Sequence, residues 1–373
     1  MRPEVLDLRG ADDPRDVVHR VVERLAHGGL VALPTETVYV VAASALVPAT
    51  VARLMELREG RREHPVTLAV KSAGEARDWV PAMTPLGRRL ARRAWPGPVT
   101  LVFNETTGDG LTRQLPEPVR QSLCPSGNLS LRVPAHAAVA DCQRLLPWPL
   151  VLSGANRDTQ PTATTGEEAV RNVGDAIDLV LDDGPCRYGQ PSSVVRVNGS
   201  RWELVREGVV TEAAIQRLAR SVILFVCTGN TCRSPMAEGL CKLLLAKKLG
   251  CQPDELAERG FEVMSAGVAA YGGESVSPEA VEAVRELGGE IAGHVSLGLS
   301  VETVVQADYI FAMTDGHVRQ LTSWVPDAAD RVRLLRRDGG NIADPVGLDL
   351  DAYRRAAQEI EANLKRIIDE LLP

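Results

Sequence analysis

The sequence predicts an α/β protein with two domains, and three observations carry this prediction. The 373 residues exceed the size of most single domains. Short apolar runs rich in β-branched residues alternate with stretches that place apolar residues at helical spacing. One such run, SVILFV at 221–226, begins a second series of strand–loop–helix units after a helical stretch at 211–220. We therefore predict domains at residues 1–218 and 219–373.

The first domain is predicted to be mixed α/β, and it begins with a helix at 14–27 that Gly28 and Gly29 end. LPTETVYVVAASA (33–45) is interpreted as a strand joined to a helix through a hydroxyl-rich loop. The helical stretch at 211–220 closes the domain. Strands are predicted at 30–34, 66–70, 99–103, 129–133, 150–153, 177–181, 193–197 and 202–206.

The second domain alternates strands and helices from its first residues onward. Residues 221–226 form a continuous apolar run, which is typical of a parallel strand buried on both faces. Gly250 ends the helix that follows this strand. Further strands are predicted at 261–266, 307–313 and 331–335, and further helices at 277–288 and 350–372. This order predicts a parallel sheet that helices cover on both faces.

Composition excludes several classes of protein. Hydrophobic residues make up 45% of the chain, so a wholly disordered protein is excluded. No run of 18 apolar residues is present, and the first ten residues lack the apolar core of a signal peptide, so we expect a cytoplasmic protein without a membrane span. A net charge of −7 argues against a general nucleic-acid coat. Seven cysteines without a C-x-x-C pair favour a reducing compartment and argue against a structural zinc site.

A phosphate-binding loop is predicted where the strand at 221–226 ends. Cys227 and Arg233 enclose the five residues TGNTC. Ser234 is predicted as the N-cap of the next helix and Pro235 as its first residue. Gly229 is expected to supply the backbone freedom that a tight loop needs. The backbone N–H groups of such a loop point inward at a helix N-terminus, where they bind an anion.

The predicted chemistry follows from this geometry. A cysteine at a helix N-terminus beside an arginine is stabilised as the thiolate. The Cys227 thiolate would attack phosphorus while Arg233 and the loop amides bind the phosphoryl oxygens, and water would hydrolyse the phosphocysteine. Asp344, in the loop GGNIADPVG, would act as general acid and then as base. The alternative is a structural cysteine beside a helix cap. The remaining candidates of the loop are Thr228, Gly229, Asn230 as a brace, Thr231, Cys232, and Ser234 as a donor to the thiolate.

These residues resemble the low-molecular-weight protein tyrosine phosphatase family over residues 221–373. The resemblance implies a Rossmann-like parallel sheet and a metal-free mechanism without a cofactor. It makes Cys227 the nucleophile, Arg233 the phosphate clamp and Asp344 the general acid. The motifs that carry it are VCTGNTCRSPMAEG, SAGV (265–268), HVS (294–296), ADYIFAMT (307–314) and ADPVG (343–347).

The resemblance leaves the phosphorylated residue of the protein substrate open. Thr231 matches the protein-arginine-phosphatase branch, in which a polar rim suits a guanidinium. Val346 stands where either branch is expected to carry an aromatic residue, so phosphoarginine and phosphotyrosine both remain candidates. Arsenate reductases share the loop, but they use further downstream cysteines, and none follows Cys251. Cys232 is a candidate to trap oxidised Cys227 as a reversible disulfide.

The N-terminal half resembles the YrdC-like threonylcarbamoyl-AMP synthase family over residues 10–212. The resemblance implies a twisted α/β sheet with a deep, positively charged cavity. It implies L-threonine, bicarbonate and ATP as substrates, Mg²⁺ with the ATP, and tRNA-modification enzymes as indirect partners. The motifs that carry it are LPTETVYVVAASA, REGRREHPVTL, WPGPVTL, LRVPAH, LSGAN, DDGPCRYGQPSSVVRV and VREG.

Matching positions imply the site residues of this domain. Thr35, Thr37 and Tyr39 would lie near the threonine, and Arg58 or Arg61 would serve the phosphates. The nucleotide would be bound by Arg132, Ser153, Asn156, Ser192, Ser193 and Arg206.

Several positions depart from the family pattern. Val40 and Ala42 replace glycines, Arg58 or Arg61 must replace a lysine, Gly60 falls where an arginine is expected, and Gly154 replaces a serine. Two functions therefore remain open. The protein is either a bifunctional enzyme or a phosphatase whose N-terminal module binds a nucleotide or RNA without catalysis.

Overall fold

The structure is a computed structural model that describes residues 2–58, 66–104, 109–157 and 160–372. The chain separates into two compact units, Met1–Leu218 and Ala219–Pro373. In the described ranges, no helix combines the length and the apolar character needed to cross a bilayer.

The first unit combines one large sheet with helices. Its strands are β1 (Glu4–Asp7), β2 (Val31–Leu33), β3 (Val40–Ser44), β4 (Thr67–Ala69), β5 (Val99–Asn104), β6 (Asn128–Arg132), β7 (Leu150–Gly154), β8 (Leu179–Asp182), β9 (Ser193–Asn198) and β10 (Arg201–Arg206). Its helices are α1 (Pro14–Ala26), α2 (Pro48–Glu56), α3 (Ala76–Trp79), α4 (Pro85–Ala94), α5 (Glu117–Leu123), α6 (Ala137–Leu145) and α7 (Gly166–Val173). Two 3₁₀ turns lie at Leu111–Gln114 and Pro125–Gly127, and α8 (Glu212–Ala219) ends at the boundary between the units.

The ten described strands of this unit form one mixed sheet in the order β1-β8-β2-β3-β7-β4-β6-β5-β9-β10. The pairs β1–β8, β2–β8, β4–β6 and β5–β9 are parallel, and the others are antiparallel. Apolar side chains of the central strands pack against α1 and α6. Val21 and Leu25 of α1 and Val139 of α6 belong to this core. The mixed α/β architecture agrees with the fold class that the sequence predicts.

One prediction in this unit is wrong. The segment 33–45 does not lead from a strand into a helix, because Val40–Ser44 forms strand β3, which pairs antiparallel with β7. All five residues of β3 are buried. A strand covered on both faces has no alternating polar positions, so its short apolar run cannot be distinguished from a buried helical turn. The structure also adds strand β1, which was not predicted.

The second unit is described without a gap over 219–372. Its strands are β11 (Ser221–Cys227), β12 (Phe261–Gly267), β13 (Tyr309–Ala312) and β14 (Val332–Leu334). Its helices are α9 (Arg233–Leu249), α10 (Pro278–Glu286), α11 (Val301–Gln306), α12 (Asp315–Trp324) and α13 (Leu350–Leu371), with 3₁₀ turns at Pro253–Ala257 and Pro326–Arg331.

The sheet of the second unit is parallel throughout, in the order β12-β11-β13-β14. Alternate residues of β11 enter two cores, one with Ile223 and Phe225 and the other with Val222 and Leu224. Helices therefore cover both faces, as the continuous apolar run predicts. Cys227 is the last residue of the central strand β11, so the loops that follow the parallel strands surround it.

Candidate active sites

The loop between β11 and α9 reverses the chain within five residues. Asn230 adopts a left-handed backbone conformation with φ 56°, a region that asparagine enters more readily than most residues. Gly229, which is predicted to supply this freedom, has no positive φ; the left-handed residue is Asn230. Gly267, next to Cys227 in β12, allows the close approach of the loop, since a Cβ atom there would lie 2.5 Å from Thr228 O.

Two donors meet the sulfur of Cys227, which is only 3% exposed. The Ser234 hydroxyl lies 2.9 Å from Sγ, and the Asn230 backbone N–H donates to Sγ at 3.3 Å. Helix α9 begins at Arg233 after an N-cap at Cys232, so the predicted N-cap at Ser234 is wrong. Its hydroxyl is thereby within hydrogen-bond distance of the sulfur.

A buried polar network holds the loop from behind. Asn230 is fully buried, and its Nδ2 donates to Ser234 Oγ at 2.9 Å and to Ser265 Oγ at 2.8 Å. Ser265 Oγ in turn donates to Glu238 at 2.7 Å. His294 Nε2 lies 3.1 Å from the Asn230 carbonyl oxygen. Ser265, Glu238 and His294 were not identified as site residues from the sequence, although SAGV and HVS contain two of them.

Arg233 and Asp344 form an ion pair at the mouth of the loop. The Arg233 side chain is 6% exposed and also donates to the Ile342 carbonyl oxygen at 3.3 Å, whereas the Asp344 side chain is 47% exposed. The arginine is therefore fixed and the carboxylate is accessible. This geometry places a buried guanidinium and an exposed carboxylate beside the same loop.

Thr231 and Cys232 lie on the side of the loop that faces α10 and α13. Cys232 Sγ is 3.3 Å from Ser277 Oγ and 3.5 Å from the Tyr353 hydroxyl. Burial raises the pKa of Tyr353 to about 12, so the phenol keeps its proton. Cys227 and Cys232 are both free thiols, and the proposed disulfide between them stays a prediction.

The first unit contains a cavity lined by arginines. Arg58 and Arg132 are 6% and 4% exposed. Burial lowers the pKa of Arg206, and the charge of Arg132 lowers it further. Cations held close together out of water attract a polyanion strongly. Six of the predicted residues line the cavity: Arg58, Arg132, Ser153, Asn156, Ser192 and Arg206.

None of the three predicted threonine-binding residues lines this cavity. Thr37 Oγ1 accepts a hydrogen bond from Arg132 at 2.9 Å and lies 2.8 Å from Thr35 Oγ1. Thr35 lines an adjacent cleft instead. Tyr39 is fully buried, with its hydroxyl 2.9 Å from Asp182 Oδ1, and burial raises its pKa. Tyr39 therefore braces β3 against β8 and does not line either cavity.

Ser193 also has a structural position. Its hydroxyl donates to the Val210 carbonyl oxygen at 2.7 Å and accepts from the backbone N–H groups of Gly208 and Val210. These bonds use the full capacity of the hydroxyl to hold the turn after β10. Arg61 and Gly60 lie outside the described residues.

Two of the departures from the family pattern meet in the structure. Val40 and Gly154 are cross-strand partners in β3 and β7, and both line the cavity. A Cβ atom at Gly154 would lie 2.8 Å from Asn156 Oδ1. The valine side chain on β3 therefore stands opposite a glycine on β7, which has no side chain. Ala42 is in the same strand, and neither Val40 nor Ala42 has a positive φ, so neither replacement strains the backbone.

Comparisons with known proteins agree with this division of the chain. Residues 23–208 match the Sua5/YciO/YrdC family, described as telomere recombination, and residues 222–372 match the low molecular weight phosphotyrosine protein phosphatase family. A protein-arginine-phosphatase of Geobacillus stearothermophilus is 40% identical over 40% of this chain and 95% of its own length. A Mycobacterium tuberculosis protein, provisionally named a threonylcarbamoyl-AMP synthase, is 30% identical over 50% of this chain and 82% of its own. The chain belongs to both families.

The two enzyme families account for both halves of the fused chain, as their motifs predict. A Sua5 variant of Pyrococcus abyssi shares the fold, with a TM-score of 0.51 and 19% identity over 96% of this chain and 97% of that one. The Sua5/YrdC half contains the arginine-lined cavity, and the phosphatase half contains the Cys227 loop.

Proposed function

We propose that the chain is a bifunctional enzyme. Its phosphatase half hydrolyses phosphorylated proteins through a phosphocysteine. Its Sua5/YrdC half makes L-threonylcarbamoyladenylate from L-threonine, bicarbonate and ATP, in the cytoplasm, for enzymes that modify tRNA. The observation that carries the first activity is the buried Cys227 sulfur between the Ser234 hydroxyl and the Asn230 N–H group.

The phosphatase reaction takes place in two steps. The Cys227 sulfur forms a bond to phosphorus. The bond between phosphorus and the leaving group breaks, and the leaving group keeps the electron pair and takes a proton from Asp344. Arg233 and the loop amides bind the phosphoryl oxygens. Water then attacks phosphorus, gives its proton to Asp344 and releases the Cys227 thiolate with inorganic phosphate. No residue changes its oxidation state, and the residues are ready for the next turnover.

Phosphoarginine is the substrate that the site favours. Asp344 is already paired with a guanidinium, that of Arg233, and a bound phosphoryl group would take Arg233 as its partner. The freed carboxyl group would then face the guanidinium of phosphoarginine and, in its protonated form, could donate its proton to the leaving nitrogen. Thr231 adds a polar hydroxyl to the rim, and the relative at 40% identity is a protein-arginine-phosphatase.

Phosphotyrosine remains the alternative substrate. Tyr271, fully exposed beyond β12, is a surface on which a phosphotyrosine ring could stack.

Thr231→Ile is expected to move the preference of the enzyme toward phosphotyrosine. The variant replaces a hydroxyl with an apolar group, so the ratio of kcat/KM for phosphoarginine over phosphotyrosine peptides should fall about tenfold. The two peptides share one flanking sequence and are assayed side by side. Thr231→Ser keeps the hydroxyl and should keep the ratio. An unchanged ratio in Thr231→Ile would contradict a role of Thr231 in selectivity.

The synthase half acts on ATP through its arginines. Threonine and bicarbonate condense to N-carboxythreonine with loss of water. Its carbamate oxygen then attacks the α-phosphorus of ATP, and pyrophosphate leaves. Arg58, Arg132 and Arg206, which line the cavity, would bind the triphosphate and the charge that develops on the leaving group. Mg²⁺ enters with ATP as part of the substrate.

We expect the full chain to release pyrophosphate from ATP only when L-threonine and bicarbonate are both present, with a matching adenylate in mass spectrometry. Arg206→Ala should reduce this release, because it removes one cation from the cavity.

The second candidate function, a nucleotide-binding module without turnover, is favoured by Val40, whose side chain lines the cavity. It predicts ATP binding in calorimetry without pyrophosphate, and that result would remove the synthase from the proposal.

A further inference from the structure

His317 lies beside the phosphate loop but belongs to none of the motifs that identified it. It is 6% exposed in the first turn of α12. Its Nε2 atom is 3.0 Å from Thr228 Oγ1, and its Nδ1 atom is 3.0 Å from Thr314 Oγ1. Both ring nitrogens are therefore engaged, one of them by the first residue after Cys227.

The position of the ring is set by local structure. Thr314 is the N-cap of α12, and its hydroxyl accepts a hydrogen bond from the His317 backbone N–H at 3.4 Å. The same hydroxyl meets the ring, so the cap fixes the orientation of the imidazole. Thr228, by contrast, is exposed at the mouth of the loop. His317 thus connects a rigid helix end to an exposed hydroxyl at the anion site.

The charges around His317 favour its neutral form. Burial lowers its pKa, and the positive charge of Arg233 lowers it further, whereas Asp344 acts in the opposite direction. The other groups that face the ring are the hydroxyls of Thr228 and Thr314. A neutral imidazole donates from one nitrogen and accepts at the other, so it can satisfy one threonine in each way.

We propose that His317 is a positioning residue of the phosphatase site. The neutral ring holds the Thr228 hydroxyl in the mouth of the loop, where the bound phosphoryl group enters. Protonation would place a second cation beside Arg233, and a ring with two donors and no acceptor could no longer accept a hydrogen bond from a threonine hydroxyl. Turnover should therefore decline on the acid side as His317 gains its proton. This proposal rests on the proposed phosphatase function of the same site.

The proposal predicts coupling between His317 and Thr228. In the full chain, His317→Ala and Thr228→Val should each weaken the binding of inorganic phosphate and lower kcat/KM by about tenfold, the effect of one hydrogen bond. The double variant should be no worse than either single variant, because both remove the same interaction. His317→Asn, which can still bond one threonine, should retain more activity than His317→Ala.

The pH profile provides a readout that a merely structural role would not change. His317→Asn should remove one ionisation from the acid limb of kcat against pH, and the matched control His19→Asn, on the exposed face of α1, should leave that limb unchanged. Multiplicative losses in the double variant, or an unchanged acid limb in His317→Asn, would overturn the proposal. Phosphate binding is measured by calorimetry without turnover. A wild-type protein that binds phosphate but hydrolyses no substrate would thus refute the proposed function while the coupling is still tested.

Discussion

Cys227→Ser is expected to abolish phosphatase turnover, with a loss on the order of 10⁴-fold or more in kcat, because nucleophile replacement has effects of this size in other hydrolases. A serine hydroxyl in the same place is not ionised at neutral pH, and it is a poor leaving group in the second step. The Ser234 hydroxyl and the Asn230 N–H would remain, so the loop should still bind phosphate. Single-turnover and steady-state assays on phosphoarginine and phosphotyrosine peptides measure the loss.

Two controls accompany this variant. Cys251→Ser removes a half-buried free thiol elsewhere in the same unit and should leave turnover intact. Threonine-dependent pyrophosphate release should be the same in Cys227→Ser as in the wild-type chain, because the synthase cavity lies in the other unit. Phosphatase activity above a few per cent of wild type in Cys227→Ser would show that Cys227 is not the nucleophile.

Arg132→Ala should both destabilise the first unit and remove pyrophosphate release. Arg132 and Glu36 form a salt bridge of 2.6 Å, with side chains that are 5% and 6% exposed. Removal of the arginine would leave a buried carboxylate without its cation, which costs about 3–5 kcal/mol in comparable pairs. It would also free the Thr37 hydroxyl and remove a cation from the cavity. Hydrogen–deuterium exchange, which reports on each unit separately, measures the destabilisation.

Two further variants separate the effect on stability from the effect on catalysis. Glu36→Gln combined with Arg132→Met replaces both members of the pair, so it should recover much of the stability but none of the pyrophosphate release. Arg206→Ala, at a half-buried position, should lose pyrophosphate release with little change in hydrogen exchange. If Arg132→Ala exchanges like the wild-type protein, the buried pair does not stabilise this unit.

The fold was predictable where its signal is local. The strand β11, the loop from Cys227 to Arg233 and the helix α9 are contiguous, and the physical properties of such a loop follow from residue order. The prediction of a helix within segment 33–45 was wrong for a related reason. Burial of β3 on both faces depends on which elements cover it, and the periodicity of a five-residue run does not contain that information.

The candidate sites show the same difference between local features, which the sequence predicts, and long-range contacts, which it does not. The sequence placed Tyr39 beside a substrate, but the sheet order brings its hydroxyl to Asp182 at the end of β8. Conversely, Ser265, Glu238 and His317 were missed. Ser265 and His317 reach the phosphate loop from other elements, and Glu238 of α9 contributes through Ser265. Ser265 and Glu238 lie in the motifs SAGV and VCTGNTCRSPMAEG, whereas His317 lies outside the motifs. Serine, glutamate and histidine are common at surfaces and helix ends, so residue type alone does not assign a role to any of the three.

The sequence by itself determined that two α/β units follow one another, and that a cysteine and an arginine enclose five residues between a strand and a helix. These features depend on neighbours in the chain, so residue type and spacing suffice to specify them. The tertiary structure alone decided that Asn230 bonds to Ser265, that Asp344 pairs with Arg233 and that Val40 stands opposite Gly154. Those contacts form between elements that are distant in the chain, and strand order and helix packing place them together.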